Sequence, residues 1–398
     1  MKTGLWRVDD LDLSYVKEAI EKGLTGELTK RFETKFSEKF NTKYAIAVNS
    51  GTSALHTSML ALDIGPGDEV IVPPLTFIAT TYAVLYVGAT PVFADIESDT
   101  FNICPNSIEE KITSRTKAII SVSLYGLPSK MEKIINIAKE HNLKVIEDNA
   151  QCVLGEENGK IAGSVADMSI FSMQRSKHIT SGDGGILVTN NEHLAEMARK
   201  YSDLGYKKLT AKPTTNEDMK EEIQQPDYKR HELIGYNFRM PEVCAAIGLA
   251  QLDKIDKLIE KRIEIASLYD EVVKDCDWLV PQYTPKNTKH SYWTYVVKLD
   301  ASISWSKFRE VFLKNNGKSF YGAWSISYLE PSLMGMKFPD SKLSYEKGLC
   351  PVAESLQPSL IQFKTNFESL EIAKNQASAL AITIGEIDKI INKGIKWN

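Results

Sequence analysis

The chain has 398 residues, 43% of them hydrophobic and 25% charged, and 48 basic against 52 acidic residues leave a formal charge of −4. That length exceeds one ordinary core and predicts two domains. The near-neutral balance gives no footing to nucleic acid or to an anionic membrane surface. The start, MKTGLWRVDD, lacks the apolar stretch of a signal peptide. Apolar spacing then predicts amphipathic helices over Leu13–Glu21 and Glu27–Phe40. Short apolar runs follow: AIAV at Ala45–Val48, EVIV ending at Val72, PVFA from Pro91, KAIISV from Lys117, KVIE from Lys144 and ILVT after Gly185. Helical segments fit between them, such as Lys130–Glu140 and Glu192–Arg199. This alternation predicts an α/β fold with a largely parallel sheet covered on both faces. The weakly apolar region Val70–Ala94 is broken by Pro73, Pro74, Gly88 and Pro91, which suits strands and a helix better than a membrane span.

Residues Leu204–Glu232 are charged and turn-prone, and read as a long excursion over the active site. From Glu242 apolar residues keep helical spacing for about nine turns, a helix that bridges two domains. A strand from Thr294 and helices over Trp305–Lys314 and Phe367–Ile391 complete a smaller α+β domain. The expected division is 1–255 and 256–398.

Lys177 sits in FSMQRSKHITSGDGG, Phe171–Gly185, with Ser172 before it and a Gly-Asp-Gly-Gly turn after it. A surface lysine is the commonest alternative. Here Ile170 and Phe171 predict a strand running inward, and a partly buried lysine has a more available neutral amine. Asp148, in EDNAQ, ends a predicted buried strand, where ligands bind in open α/β sheets. A helix-capping aspartate reads the same way. Asn49-Ser50-Gly51-Thr52-Ser53 joins a strand to a helix, so free N–H groups and the helix dipole favour an anion. An ordinary N-cap fits it equally. Phe77, in PPLTFIAT, can stack on a flat ring or pack in the core. Together these features read as a site for an aldehyde cofactor, with a lysine for the Schiff base, a carboxylate for the ring nitrogen and hydroxyls for the phosphate. Five scattered cysteines without CxxC read as reduced thiols of a cytoplasmic protein. Six histidines without HExxH spacing give no support to a metal.

The segments NSGTSALH, GPGDEVIVPPLTFIAT, GATPVFADI, IEDNAQ, FSMQRSKHITSGDGG and GYNFRMPEVCAAIGLAQLDKID run in order from Asn49 to Asp256, and CPVAE follows at Cys350–Glu354. In this ordered set the chain resembles the DegT/DnrJ/EryC1/StrS family of sugar aminotransferases. The resemblance implies a fold type I, aspartate-aminotransferase-like homodimer with active sites at the subunit interface. It implies pyridoxal 5′-phosphate as cofactor, glutamate as amino donor and a nucleotide-linked keto-sugar as acceptor. It implies that Lys177 carries the cofactor, Asp148 meets the pyridine nitrogen and Gln151 lies near the ring hydroxyl. Thr52, Ser53 and Ser172 would hold the phosphate, Phe77 would stack on the ring, and Asn237 would reach the partner subunit's cofactor.

The chain departs from the family pattern at Met173–Ser176, in the length of Leu204–Glu232 and at Phe320–Met334. One branch of the family has histidine in place of the lysine and dehydrates sugars, and here His178 follows Lys177. A cyclitol or small keto-phosphate acceptor and a non-catalytic binding protein on this fold are further alternatives. Arg175 and Arg239 are candidates for the donor carboxylate, and Tyr321, Trp324 and His290 for the acceptor pocket, with core packing as good an account of these three.

Overall fold

The computed structural model describes residues 6–213, 225–338 and 344–392. Nine strands lie in its first half: β1 Tyr44–Val48, β2 Glu69–Val72, β3 Thr90–Phe93, β4 Thr116–Val122, β5 Lys144–Asp148, β6 Glu156–Glu157, β7 Lys160–Ile161, β8 Met168–Ser172 and β9 Gly185–Thr189. Seven form one sheet in the order β1-β9-β8-β5-β4-β2-β3. From β8 to β3 every pairing is parallel, whereas β9 runs antiparallel to both its neighbours, β8 and β1. The mostly parallel α/β sheet read from sequence is therefore present. The reversal at β9 left no trace there, because β8 and β9 are buried along their whole length and carry no polar face.

This order puts the last residues of β1, β5 and β8, namely Val48, Asp148 and Ser172, along one edge of the sheet. The helix Gly51–Ala61 starts at that edge, where the Ser50 side chain accepts from Ser53 N–H as its N-cap. On the outer side, Phe32 and Phe36 of the helix Glu27–Lys39 and its C-cap Phe40 recur at helical spacing. Phe36 and Phe40 meet Phe171 of β8 with ring centroids 5.1 and 4.6 Å apart. These edge and tilted contacts fix the strand that leads into the lysine loop.

The expected nine-turn helix is two helices, Glu242–Asp253 and Ile255–Val273, broken at Lys254 with φ −115° and ψ 12°. Neither Pro nor Gly marks the break, so apolar spacing alone ran straight through it. Lys254 Nζ there pairs with Asp12 Oδ2 at 2.6 Å and Asp9 Oδ2 at 2.7 Å.

Strands β10 Leu279–Pro281, β12 Thr294–Leu299, β13 Tyr321–Gly322 and β14 Leu360–Lys364 form a second sheet in the order β10-β12-β14-β13. β11, Thr288–Lys289, pairs instead with β6. The helices Ile255–Val273, Trp305–Lys314 and Leu370–Ile391 cover the second sheet. Between β13 and β14 the chain goes back to the larger sheet, whose core takes in Ile326, Tyr328, Leu333, Tyr345 and Ala353. A division at 255/256 assigns this excursion to the smaller domain, while its side chains pack against the larger one. Of the stretch Leu204–Glu232, residues 214–224 lie outside the described residues. Its flanks are tied by bridges between Tyr206 and His231 and between Asp203 and Asn237.

Candidate active site

Thr52, Phe77, Asp148, Gln151, Ser172 and Lys177 line one cavity of about 450 Å³ at the carboxyl edge of the sheet. The fold brings them there from the ends of β1, β5 and β8 and from the turn after β2. Ser53 and Asn237 are elsewhere. The Ser53 hydroxyl donates to Asn49 Oδ1 at 2.6 Å. Asn237 lines a second cavity with Asn49 and Arg239.

Lys177 lies in the loop 173–184 that turns β8 into β9. Its side chain is half-buried. Desolvation pulls its pKa down to about 8, against the opposing pull of the Asp148 carboxylate. Its Nζ lies 4.4 Å from the centroid of the Trp293 ring. The loop's carbonyls are gripped in series. Arg7 donates to the carbonyls of Arg175 at 2.6 Å, of Lys177, and of His178 at 2.8 Å. Trp293 Nε1 donates to Ser176 O at 2.9 Å, and Arg262 Nη2 to Lys177 O at 3.4 Å. Arg262 also donates to Trp293 O at 2.8 Å and to Thr365 Oγ1 at 3.0 Å. Burial lowers the pKa of both guanidiniums, Arg7 to about 10.

Asp148 is buried, and desolvation raises its pKa. Ala150 N–H donates to its Oδ1 at 3.0 Å and Thr80 Oγ1 to its Oδ2 at 2.9 Å, and both bonds pull the other way, as does Lys177. Gln151 Oε1 accepts from Tyr125 N–H at 2.9 Å. Gly51 sits so close to Ser172 that an added Cβ would come within 2.9 Å of Ser172 Cβ. The helix N-terminus and the Ser172 hydroxyl thus share one cradle, with backbone N–H groups and the positive end of the dipole facing the cavity.

Trp324 lines the cavity, meets Phe77 edge-on at 6.3 Å, and stacks between Trp293 at 5.6 Å and Tyr125 at 5.8 Å. The other two acceptor candidates are not there. His290 is buried with Nε2 on Gln282 Oε1 at 3.0 Å, and Tyr321 is exposed under Lys364. Of the arginine candidates, Arg239 pairs with Asp203, and Arg175 is exposed. His178 is fully buried with Nε2 donating to Ser291 O at 3.0 Å, and desolvation holds its pKa well below the usual imidazole range. Sequence reasoning missed Thr80, Trp293, Arg7 and Arg262. Only Thr80 had a local signal, three residues after Phe77. The other three reach the site from remote segments.

A buried carboxylate, a desolvated lysine and an anion cradle in one cleft define an enzyme of the type that carries its cofactor on a lysine. The sequence profile of the DegT/DnrJ/EryC1/StrS aminotransferase family matches residues 7–368, and the chain belongs to that family. It is 40% identical over 283 residues to the GDP-perosamine synthase of Escherichia coli O157:H7, covering 70% of this chain and 72% of that one. It is 32% identical over 350 residues to the GDP-perosamine synthase of Vibrio cholerae, covering 86% and 90%. The solved aminotransferase from Psychrobacter cryohalolentis superposes with a TM-score of 0.84 at 31% identity, covering 96% of this chain and 98% of that one. The protein is a pyridoxal-phosphate-dependent aminotransferase. Its residues fit that cofactor: the helix N-terminus at Gly51–Thr52, Ser172, the Lys177 amine and the Asp148 carboxylate all line one cavity.

Proposed function

We propose that this enzyme moves the amino group of L-glutamate to a keto carbon of a nucleotide-linked deoxysugar, as a cytoplasmic homodimer. The observation that carries this reading is the shared cavity of Lys177, Asp148 and the helix N-terminus at Gly51–Thr52. A GDP-linked keto-sugar is the first acceptor to test, because relatives covering most of their own length are GDP-perosamine synthases. The free cysteines suit a reducing compartment, and among the described residues no helix is long and apolar enough to cross a membrane.

In this reading Thr52, Ser172 and the helix N–H groups hold the phosphate. Asp148 meets the ring nitrogen, Gln151 lies toward the ring hydroxyl and Phe77 covers one face. When bound, pyridoxal phosphate supplies the electron sink for the carbon that gives up its proton. Lys177 Nζ holds that proton and passes it on. A pKa near 8 suits this, since both protonation states are populated near neutrality. Thr80 and Ala150 keep the Asp148 carboxylate aimed and ionised. Phe77, Trp293 and Trp324 form the aromatic wall of the cavity beside the amine. Asn237 serves the site of the second subunit in the proposed dimer. Burial of His178 away from the cavity favours transamination over the histidine-based dehydration.

The purified enzyme is expected to be yellow, to lose that colour when glutamate is added, and to regain it with a nucleotide-linked keto-sugar. Borohydride is expected to fix the cofactor on Lys177, read by peptide mass spectrometry. An adduct on any other lysine refutes the reading.

A further inference from the structure

We propose that Trp293 is a positioning residue for the catalytic lysine: its ring face seats the protonated Lys177 amine whenever that amine is off the cofactor, while its N–H pins the loop that carries it. The inference rests on the reading that Lys177 is the cofactor lysine.

Two contacts from one side chain support it. Lys177 Nζ lies 4.4 Å from the Trp293 centroid, within reach of a cation–π attraction. Trp293 Nε1 donates to the carbonyl of Ser176, the residue just before the lysine, at 2.9 Å. The indole is itself held from two sides. Its ring stacks on Trp324 with 13° between planes, and its own carbonyl accepts from Arg262 and Thr365. A side chain fixed in this way can aim a flexible four-carbon stem that has no hydrogen-bonded partner among the described contacts of its amine.

The charged and titratable groups around the lysine leave this role open. Asp148 attracts the amine from the end of β5. Asp183 lines the same cavity from the turn before β9. His178 and Arg175 lie on the lysine's own loop. Arg7, from the N-terminal segment, and Arg262, from the helix Ile255–Val273, approach from the carbonyl side of that loop. Burial opposes the Lys177 ammonium, and the electron-rich indole face is set against that penalty.

The test reads the lysine rather than turnover. In cofactor-free protein the pKa of Lys177 is measured from the pH dependence of its modification by trinitrobenzenesulfonate, resolved by peptide mass spectrometry. Trp293→Leu is expected to lower that pKa by about half a unit to one and a half units, since the ammonium loses its ring. Trp293→Phe keeps a weaker ring face and is expected to restore at least half of the shift. Mere loosening of the pocket would admit water and move the pKa up, so the sign separates the two accounts. An unchanged or raised pKa in Trp293→Leu overturns the proposal, as does a Phe variant as low as the Leu one. Should Trp293→Leu fail to fold, Trp293→Phe alone decides: a small downward shift is required. Borohydride trapping on the same samples tests the cofactor lysine separately.

Discussion

Thr80 Oγ1 donates to Asp148 Oδ2 at 2.9 Å, across 68 residues of sequence. The bond ties the helix after β2 to the end of β5. It also works against the burial that raises the Asp148 pKa. In Thr80→Val the carboxylate loses one stabilising donor, and its pKa climbs further. A depressed acid side follows: kcat/KM is expected to fall by a larger factor at pH 5.5 than at pH 8. A pH–rate profile checks this, and a uniform loss at all pH values counts against it.

Lys177→Ala removes the group proposed to move the proton. The expected loss in kcat is about 10²-fold to 10⁴-fold, the usual share of a positioned acid–base group. Single-turnover kinetics measure the step directly. The visible band fixed by borohydride should vanish at the same time.

Uptake of the cofactor by the cofactor-free protein needs the neutral amine. With a pKa of about 8 for Lys177, the neutral fraction rises about fivefold between pH 7 and pH 8 and levels off near pH 9. The rate of colour formation after mixing is expected to follow that curve. A rate still climbing steeply above pH 10 would mean an ordinary exposed lysine.

Gly51→Ala adds a methyl where Ser172 Cβ already stands 2.9 Å away. Either the helix N-terminus or the end of β8 must shift, and the anion cradle is lost with it. Affinity for pyridoxal phosphate is expected to drop more than about tenfold, which corresponds to 1.4 kcal/mol. Equilibrium dialysis measures it, with circular dichroism as the check on folding.

Arg262→Met leaves Trp293 O, Thr365 Oγ1 and Lys177 O short of a buried donor. Trp293 O keeps its bond from Thr365 and Lys177 O keeps its bond from Arg7, so Thr365 Oγ1 is the group left without a donor, and a loss of about 1–3 kcal/mol is expected by chemical unfolding of the holoenzyme. Arg262→Lys keeps the charge but not the planar fork and should recover less than half.

The strands were legible because a sheet covered on both faces needs unbroken apolar runs, and EVIV, KVIE and ILVT supply them. The lysine, the carboxylate and the anion turn were legible for a different reason: each sits at a strand end with its own local punctuation. Pairing direction was not. Nothing in ILVT says that β9 opposes its neighbours. The break at Lys254 was hidden because its ion pairs with Asp9 and Asp12 come from more than two hundred residues away. For the same reason Arg7, Arg262 and Trp293 could not be found from their surroundings. A buried arginine bound to carbonyls has the same sequence signature as a solvated one.

The two walls of the cleft are anchored differently. One is made of the ends of hydrogen-bonded strands, with Ser172 in register with Gly185, and Gly185 in turn with Val48. The other, around Trp324, hangs on the connection that leaves β13 after two ladder residues. On the proposed reading, drift in that connection retunes which sugar is accepted while the strand-borne wall stays in place. Chimeras that exchange Ala323–Phe338 between relatives are therefore a rational route to new amino sugars.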